Sequence, residues 1–342
     1  MTLAEGLARR QGDALGTMPV VLAEMPVSTV PLVALSLTGV PALRALVAGE
    51  AAAAPPGPVV ADGDPSPLPG LGPLVDELAA AGHGAVLVMG KGGVGKTTIA
   101  AAIAVGLARR GHDVHLSTTD PAGRVSDVLA DEHDGHLTIS RIDPVRELER
   151  YTAERLQSAQ RLNPDRRVLV EEDLRSPCTE ELAVFRAFSG LLSEARDRFV
   201  VVDTAPSGHT LRLLDLTGSY HRQVMSSADE VHGRITTPLM RLQDPEYTHV
   251  VIVTLPELTP VSEAAALQDD LARAGITPFG WVVNAGLTAS GTADPLLRAR
   301  AELERPQLER MREDLAQRAW LVPWQAEGLV GEQQLAALSG VR

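Results

Sequence analysis

Short apolar runs and longer stretches of helical periodicity take turns along most of this chain. The runs 85–89, 114–118, 137–142, 199–203, 249–254, 278–283 and 318–322 read as strands. The segments 97–110, 146–162, 177–196, 259–274 and 295–317 repeat their apolar positions every three or four residues and read as helices. Strand alternating with helix predicts an α/β fold: a mostly parallel, doubly wound sheet with helices on both faces. In such a sheet, ligands bind outside the carboxyl ends of the strands.

The pattern fails between residues 51 and 73, where AAAAPPGPVVADGDPSPLPGLGP is dense in Ala, Pro and Gly and predicts a semi-extended linker. Ahead of it lies one half of an internal repeat. Pro31, Ala34, Leu37, Gly39, Leu43 and Leu46 recur without gaps as Pro323, Ala326, Leu329, Gly331, Leu335 and Leu338, at a constant offset of 292 residues (Pro31 to Pro323). Residues 17–50 therefore read as the tail of a second, similar domain. The expected organisation is a domain tail over 1–50, a linker over 51–82 and one full domain over 83–342.

Composition narrows the function classes. The chain has 342 residues and is 44% apolar but only 3% aromatic, so its core must be built from Ala, Val and Leu. A net charge of −13 argues against non-specific nucleic-acid binding and against adhesion to anionic lipid. The single cysteine excludes an internal disulfide and suits a reducing compartment. The N-terminus lacks the basic-then-apolar order of a signal peptide. The apolar stretch 26–47 is interrupted by Pro26, Pro31, Pro41 and Arg44, so direct membrane insertion is not expected.

The candidate chemistry begins at Gly90-Lys91-Gly92-Gly93-Val94-Gly95-Lys96-Thr97-Thr98. This is the phosphate-binding pattern of a P-loop NTPase, with a second lysine at its second position, and it lies between a strand and a helix as it must. Glycines let the backbone close around a phosphate chain with its N–H groups inward. The helix that follows adds its positive end. Lys96 would reach the β- and γ-phosphates, and the Thr97 hydroxyl would hold Mg²⁺. A second strand, Phe199 to Val202, delivers Asp203 to the same edge, where it would hold Mg²⁺ through a water. Thr204 to Thr210 would then form a switch segment near the γ-phosphate. A third strand ends at Asp120, placed to position or deprotonate the attacking water, to join the metal's outer shell, or simply to cap a turn before Pro121. Ser176 and Pro177 read as the N-cap and first residue of a helix. Cys178 follows where the helix dipole favours thiolate, although Glu171, Glu172, Asp173, Glu180 and Glu181 oppose it. On its residues alone Cys178 reads as a small buried apolar side chain.

Taken together, GKGGVGKTT, STTDPAG, SPCTEE, DTAPSGHT and VTLPELTPVSEAAALQDDLARAGI resemble the arsenical pump-driving ATPases, and within them the C-terminal half, over roughly residues 83–342. These ATPases are two homologous halves joined by a linker, which gives the repeat a meaning and implies a chain truncated at its start. The resemblance implies ATP and Mg²⁺ as cofactors and As(III) or Sb(III) as activator. It implies that Lys91 reaches across a dimer interface to the partner's nucleotide. Lys96 keeps its P-loop role, Asp120 is the switch I aspartate needed for hydrolysis, and Asp203 is its switch II counterpart. Asn284 matches an adenine-contacting asparagine. Two positions depart from the family: Ala285 stands where a second Asn is common, and Gly123-Arg124 replace a small residue followed by His in switch I. Ser176, Cys178 and His209 fall on metalloid-binding positions of the second half. Implied partners are a membrane arsenite pump protein, an arsenic metallochaperone, and a second ATPase domain, as a homodimer or by pairing with a first half. The implied location is cytoplasmic, peripheral at the inner face of the membrane. The competing readings are a targeting ATPase for tail-anchored proteins, which would want a Cys-x-x-Cys pair that is absent here, and a nucleotide-binding regulatory half with little turnover.

Overall fold

A computed structural model describes residues 1–23, 25–36, 38–49, 68–120, 129, 135–160, 164–174, 176, 178–205, 217–218 and 236–341. Its frame is a seven-stranded sheet in the order β3-β2-β4-β1-β5-β6-β7. The strands are β1 (Gly84–Met89), β2 (Val114–Thr118), β3 (Leu137–Arg141), β4 (Phe199–Asp203), β5 (Thr248–Thr254), β6 (Gly280–Gly286) and β7 (Ala319–Pro323). All six pairings are parallel. The seven predicted strands are all present, with ends shifted by two residues or fewer at all but the C-terminal end of β6.

Both sheet faces are covered, so the strands read as continuous apolar runs instead of alternating ones. Val86 and Val88 of β1 enter the core on one face, while Ala85, Leu87 and Met89 enter the other. The first core is closed by α4 (Leu71–Ala79), α5 (Lys96–Ala108) and α12 (Glu332–Leu338). The second is closed chiefly by α8 (Cys178–Glu194), α10 (Leu258–Arg273) and α11 (Pro295–Arg310). Helix α5 is apolar all round and buried from Ile99 to Ala108, as a helix wrapped by sheet and helices must be. Its small residues let α12 approach closely: a Cβ on Gly106 would lie 2.7 Å from Cβ of Ser339.

The remaining helices among the described residues are α1 (Leu3–Gly16), α2 (Val20–Ala23), α3 (Val40–Val47), α6 (Pro144–Ala159), α7 (Pro164–Asp173), α9 (Pro238–Gln243) and a π-helical turn, Met311–Leu315, that continues α11. Helix α6 starts where Asp143 accepts N–H bonds from Val145 and Arg146, and it packs on α8.

Two features differ from expectation. Residues 71–79, assigned by composition to the linker, are the helix α4. Leu71, Leu74, Val75 and Leu78 are at most 2% exposed, and the N–H of Leu321 donates to the carbonyl of Pro69 at 2.8 Å. The Pro and Gly density of the preceding residues masked an i, i+3, i+4, i+7 apolar stripe. Helix α1 was not foreseen either. A capping box starts it: the Glu5 N–H donates to the Thr2 hydroxyl and the Thr2 N–H to the Glu5 carboxylate. It docks through Arg10, which donates to the Gln325 carbonyl at 3.0 Å and lies over the Trp324 ring. Trp281 and Trp320 are core residues, at 1% and 2% exposure.

If α4 is part of the core, Leu74→Ala leaves a cavity beneath α5. The expected loss is about 2–5 kcal/mol of unfolding free energy in a urea titration. A loss under about 0.5 kcal/mol would mean that the helix belongs to the linker.

Candidate functional site

β1, β4 and β2 end side by side at the carboxyl edge. The pairing register sets Val88 opposite Asp203 and Asp203 opposite Thr118. The chain leaves β1 over the loop Gly90–Gly95 and enters α5 at Lys96. Two glycines are obligatory there. Gly90 has φ +152°, and a Cβ on it would lie 2.4 Å from the Val253 carbonyl oxygen. Gly95 N-caps α5 with φ +91°, and its Cβ would lie 2.1 Å from Nδ2 of Asn284.

The charged centre is Asp203, wholly buried. The Thr97 hydroxyl donates to its Oδ2 at 2.8 Å, and the Thr118 hydroxyl to the same oxygen at 3.1 Å. Its Oδ1 is buried and has no hydrogen-bond partner among the described residues. Burial pushes the carboxyl above the usual carboxylate range; the two hydroxyls and the Lys96 ammonium pull it back, and Asp120 adds to the rise. A buried carboxylate oxygen left unpaired is costly. A divalent cation on that side is the simplest group to remove the cost. The donor set therefore fits Mg²⁺, with Asp203 and Thr97 as the residues that would hold it.

Lys96 is 6% exposed. Its Nζ donates to the Lys91 carbonyl at 3.1 Å, so the loop's own backbone holds the ammonium. Burial pushes its pKa down, while the charges of Asp203 and Asp120 push it up. Asp120 thus lies within electrostatic reach of both groups. Its N–H donates to the Thr118 hydroxyl at 3.1 Å. The exits of β2 and β4 are stitched together by the Thr119 N–H on the Asp203 carbonyl and the Ala205 N–H on the Thr119 hydroxyl.

The exposed Lys91 pairs with Glu263 of α10. Asn284, at the end of β6, donates to the Val94 carbonyl at 3.0 Å and accepts the Ala285 N–H at 2.9 Å. It therefore braces the phosphate loop directly. Ala285 has φ +55°, a conformation that costs a non-Gly residue about 1–3 kcal/mol. Asn tolerates this region better than Ala does.

The structure brings together Lys96, Thr97, Asp203, Asp120 and Asn284, with Lys91 on their flank. Thr118 is the member that sequence reading missed; its signal was the hydroxyl at the end of a strand beside Asp203. Ser176 is exposed, and its carbonyl accepts the Thr179 N–H at 3.0 Å as α8 begins at Cys178. His209, Gly123, Arg124 and the side chain of Cys178 lie outside the described residues. So does the switch segment beyond Ala205.

A family model described as anion-transporting ATPase matches residues 83–222 and 214–341. An arsenical pump-driving ATPase of Escherichia coli is 49% identical over 340 residues, which are 99% of this chain and 58% of that protein. One from Acidiphilium multivorum is 48% identical over 337 residues, 98% of this chain and 57% of that protein. The chain thus spans less than two thirds of the length of these relatives. A putative arsenical pump-driving ATPase 2 of Aquifex aeolicus is 30% identical over 297 residues, 96% of its own length.

Gly95→Ala sets a Cβ against Asn284 in a backbone region that L-residues avoid. It is expected to weaken binding of a fluorescent ATP analogue by more than about tenfold, with the circular-dichroism spectrum unchanged. Wild-type affinity in this variant would show that the loop does not bind phosphate in the conformation described.

Proposed function

The chain belongs to the anion-transporting ATPase family, and from that premise we propose that it is an ATP-hydrolysing subunit that drives arsenite or antimonite extrusion through a membrane pump and is activated by the metalloid. The observation that carries the catalytic half of this reading is the buried Asp203 carboxylate, pinned by Thr97 and Thr118 with one oxygen open, beside Lys96. That arrangement suits hydrolysis of a phosphoanhydride and little else at this edge.

ATP enters over Gly90–Thr98. Lys96 leaves the Lys91 carbonyl for the β- and γ-phosphates, exchanging a neutral acceptor for an anionic one. Mg²⁺, when bound, offsets charge on the terminal phosphates. Thr97 and Asp203 hold their positions around it. Asp120 orients the attacking water and receives its proton. Lys91 leaves Glu263 and reaches the nucleotide of a second ATPase domain, so turnover depends on pairing.

Activation by As(III) or Sb(III) rests on Ser176, Cys178 and His209. Trivalent arsenic and antimony prefer soft thiolate donors, and Cys178 opens a helix. His209 follows Asp203 by a few residues, so a metalloid held there would bias the Asp203 loop and couple the two sites through one two-state element. A single thiol per chain gives a weak site alone, which favours a shared site between two domains.

Residues 1–50 are proposed to be the tail of a second ATPase half, joined by the linker to the ATPase domain. Support comes from backbone shape. Gly39 (φ 84°, ψ 159°) precedes α3, and Gly331, its counterpart in the repeat, precedes α12 with φ 96° and ψ 152°. Leu335 of α12 is fully buried, whereas the matching Leu43 is 49% exposed. The face of α3 is therefore free to pack on another P-loop domain as α12 packs on α5. The partners of this reading are such a domain, the pump protein and an arsenic metallochaperone. The location is cytoplasmic and peripheral at the membrane, and among the described residues no helix is long and apolar enough to cross one.

The test is steady-state phosphate release by the full chain, alone and mixed with a separately expressed first-half domain, with and without antimonite. Antimonite is expected to raise turnover several-fold, Cys178→Ser to abolish that rise, and Lys96→Ala to lower turnover roughly a hundredfold or more. Turnover that is indifferent to antimonite in both settings would remove the metalloid from this account. Nucleotide binding without turnover in either would favour a regulatory role.

A further inference from the structure

A second buried carboxylate lies near the carboxyl edge, and nothing in the proposed chemistry uses it. Glu304, on α11, is 7% exposed. One of its oxygens accepts the Leu287 N–H at 2.9 Å. The other accepts the Thr288 N–H at 3.0 Å and the Thr288 hydroxyl at 3.1 Å. Three donors on one ionised acceptor make a strong and directional clamp. It needs to be strong: burial pushes the carboxyl of Glu304 up, against the pull of these three bonds and of Arg300. The charged groups that face it are Arg300 on its own helix and Glu257 at the N-cap of α10, whose carboxylate is 3.9 Å from Arg300. A charge is thus kept in a costly place, and what it holds is a turn.

That turn leads directly out of the nucleotide site. Asn284 braces the phosphate loop at one end, and Ala285 takes a left-handed conformation next to it. Such a conformation persists only where its surroundings over-determine it. The Gly286 carbonyl is fixed by the Trp324 N–H at 3.1 Å, and the two residues after it are fixed by Glu304. Removing the Glu304 clamp frees Leu287 and Thr288, and with them the turn that starts at the Asn284–Ala285 step.

We propose that Glu304 is a positioning residue for nucleotide recognition: by clamping Leu287 and Thr288 it holds Asn284 where it meets both the phosphate loop and the base. This rests on the reading that the base lies at Asn284. The predicted signature is a loss in nucleotide affinity and in base discrimination, with the chemical step spared, because Glu304 touches neither the phosphates nor the groups around Asp203.

Affinities for ATP and GTP, and kcat at saturating ATP, are to be measured in the full chain, in Glu304→Gln and in Thr288→Val. Glu304→Gln keeps one acceptor oxygen and turns an NH2 toward a donor at the other. It should weaken ATP binding about tenfold, narrow the preference for ATP over GTP, and leave kcat within about twofold. Thr288→Val removes one of the three bonds and should weaken ATP binding a few-fold; this variant carries the test if Glu304→Gln does not fold. A folded Glu304→Gln, or a Thr288→Val, with wild-type affinity and wild-type ATP preference would overturn the proposal. So would equal losses for both nucleotides, which a general structural role would give. A wild type that binds ATP and GTP equally would instead sink the base reading, and the proposal with it.

Discussion

The buried carboxylate of Asp203 is the constraint on which the site is built. It ends β4, takes a hydrogen bond from the first turn of α5 and another from the end of β2, and so ties three elements at one point. Two hydroxyls satisfy one oxygen, and among the described residues none satisfies the other. A protein interior rarely leaves such an atom unpaired, because the desolvation cost has no return. The strand order makes the arrangement possible. β1 lies between β4 and β5, so the phosphate loop and Asp203 leave neighbouring strands at the same edge. It is also at such a point, where the chain turns to opposite sides of the sheet, that α/β folds bind ligands.

Around this point the chain satisfies its own cations. Lys96 rests on a loop carbonyl and Lys91 on Glu263. Both contacts are replaceable. A carbonyl is a weaker acceptor than a phosphate oxygen, and a half-exposed ion pair is worth at most about 1 kcal/mol. The two lysines are therefore held without being committed, and on the proposed function nucleotide entry would exchange their partners without rearranging the fold. The Asn284 turn differs. It is fixed by backbone, by a buried carboxylate and by a strained residue together, which is the pattern of a pre-organised contact.

The sheet was legible because its strands are buried on both faces and so appear as bare apolar runs. The phosphate loop was legible because its chemistry dictates glycines at set positions. Other parts were hidden for identifiable reasons. Helix α4 follows a Pro- and Gly-rich stretch whose composition outweighed its leucine spacing. Helix α1 is mostly exposed and is fixed by a capping box, one arginine and a small apolar contact of Leu3 and Ala4 with Leu287, Leu297 and Ala301. Glu304 lies in the run Glu302-Leu303-Glu304-Arg305, which reads as solvated surface; only the path of the β6 exit turns one carboxylate inward. The direction of Lys91 likewise depends on α10, remote in sequence. The repeat at Gly39 and Gly331 was visible in residue identities, and its backbone angles agree.

On the proposed function, the open oxygen of Asp203 faces a nucleotide-bound divalent cation. Electron paramagnetic resonance of Mn²⁺ added with ADP to the full chain measures this most directly. The account predicts a protein-bound Mn²⁺ signal that requires ADP and is lost in Asp203→Ala and in Thr97→Ala, both still folded. An undiminished signal in Asp203→Ala would contradict it.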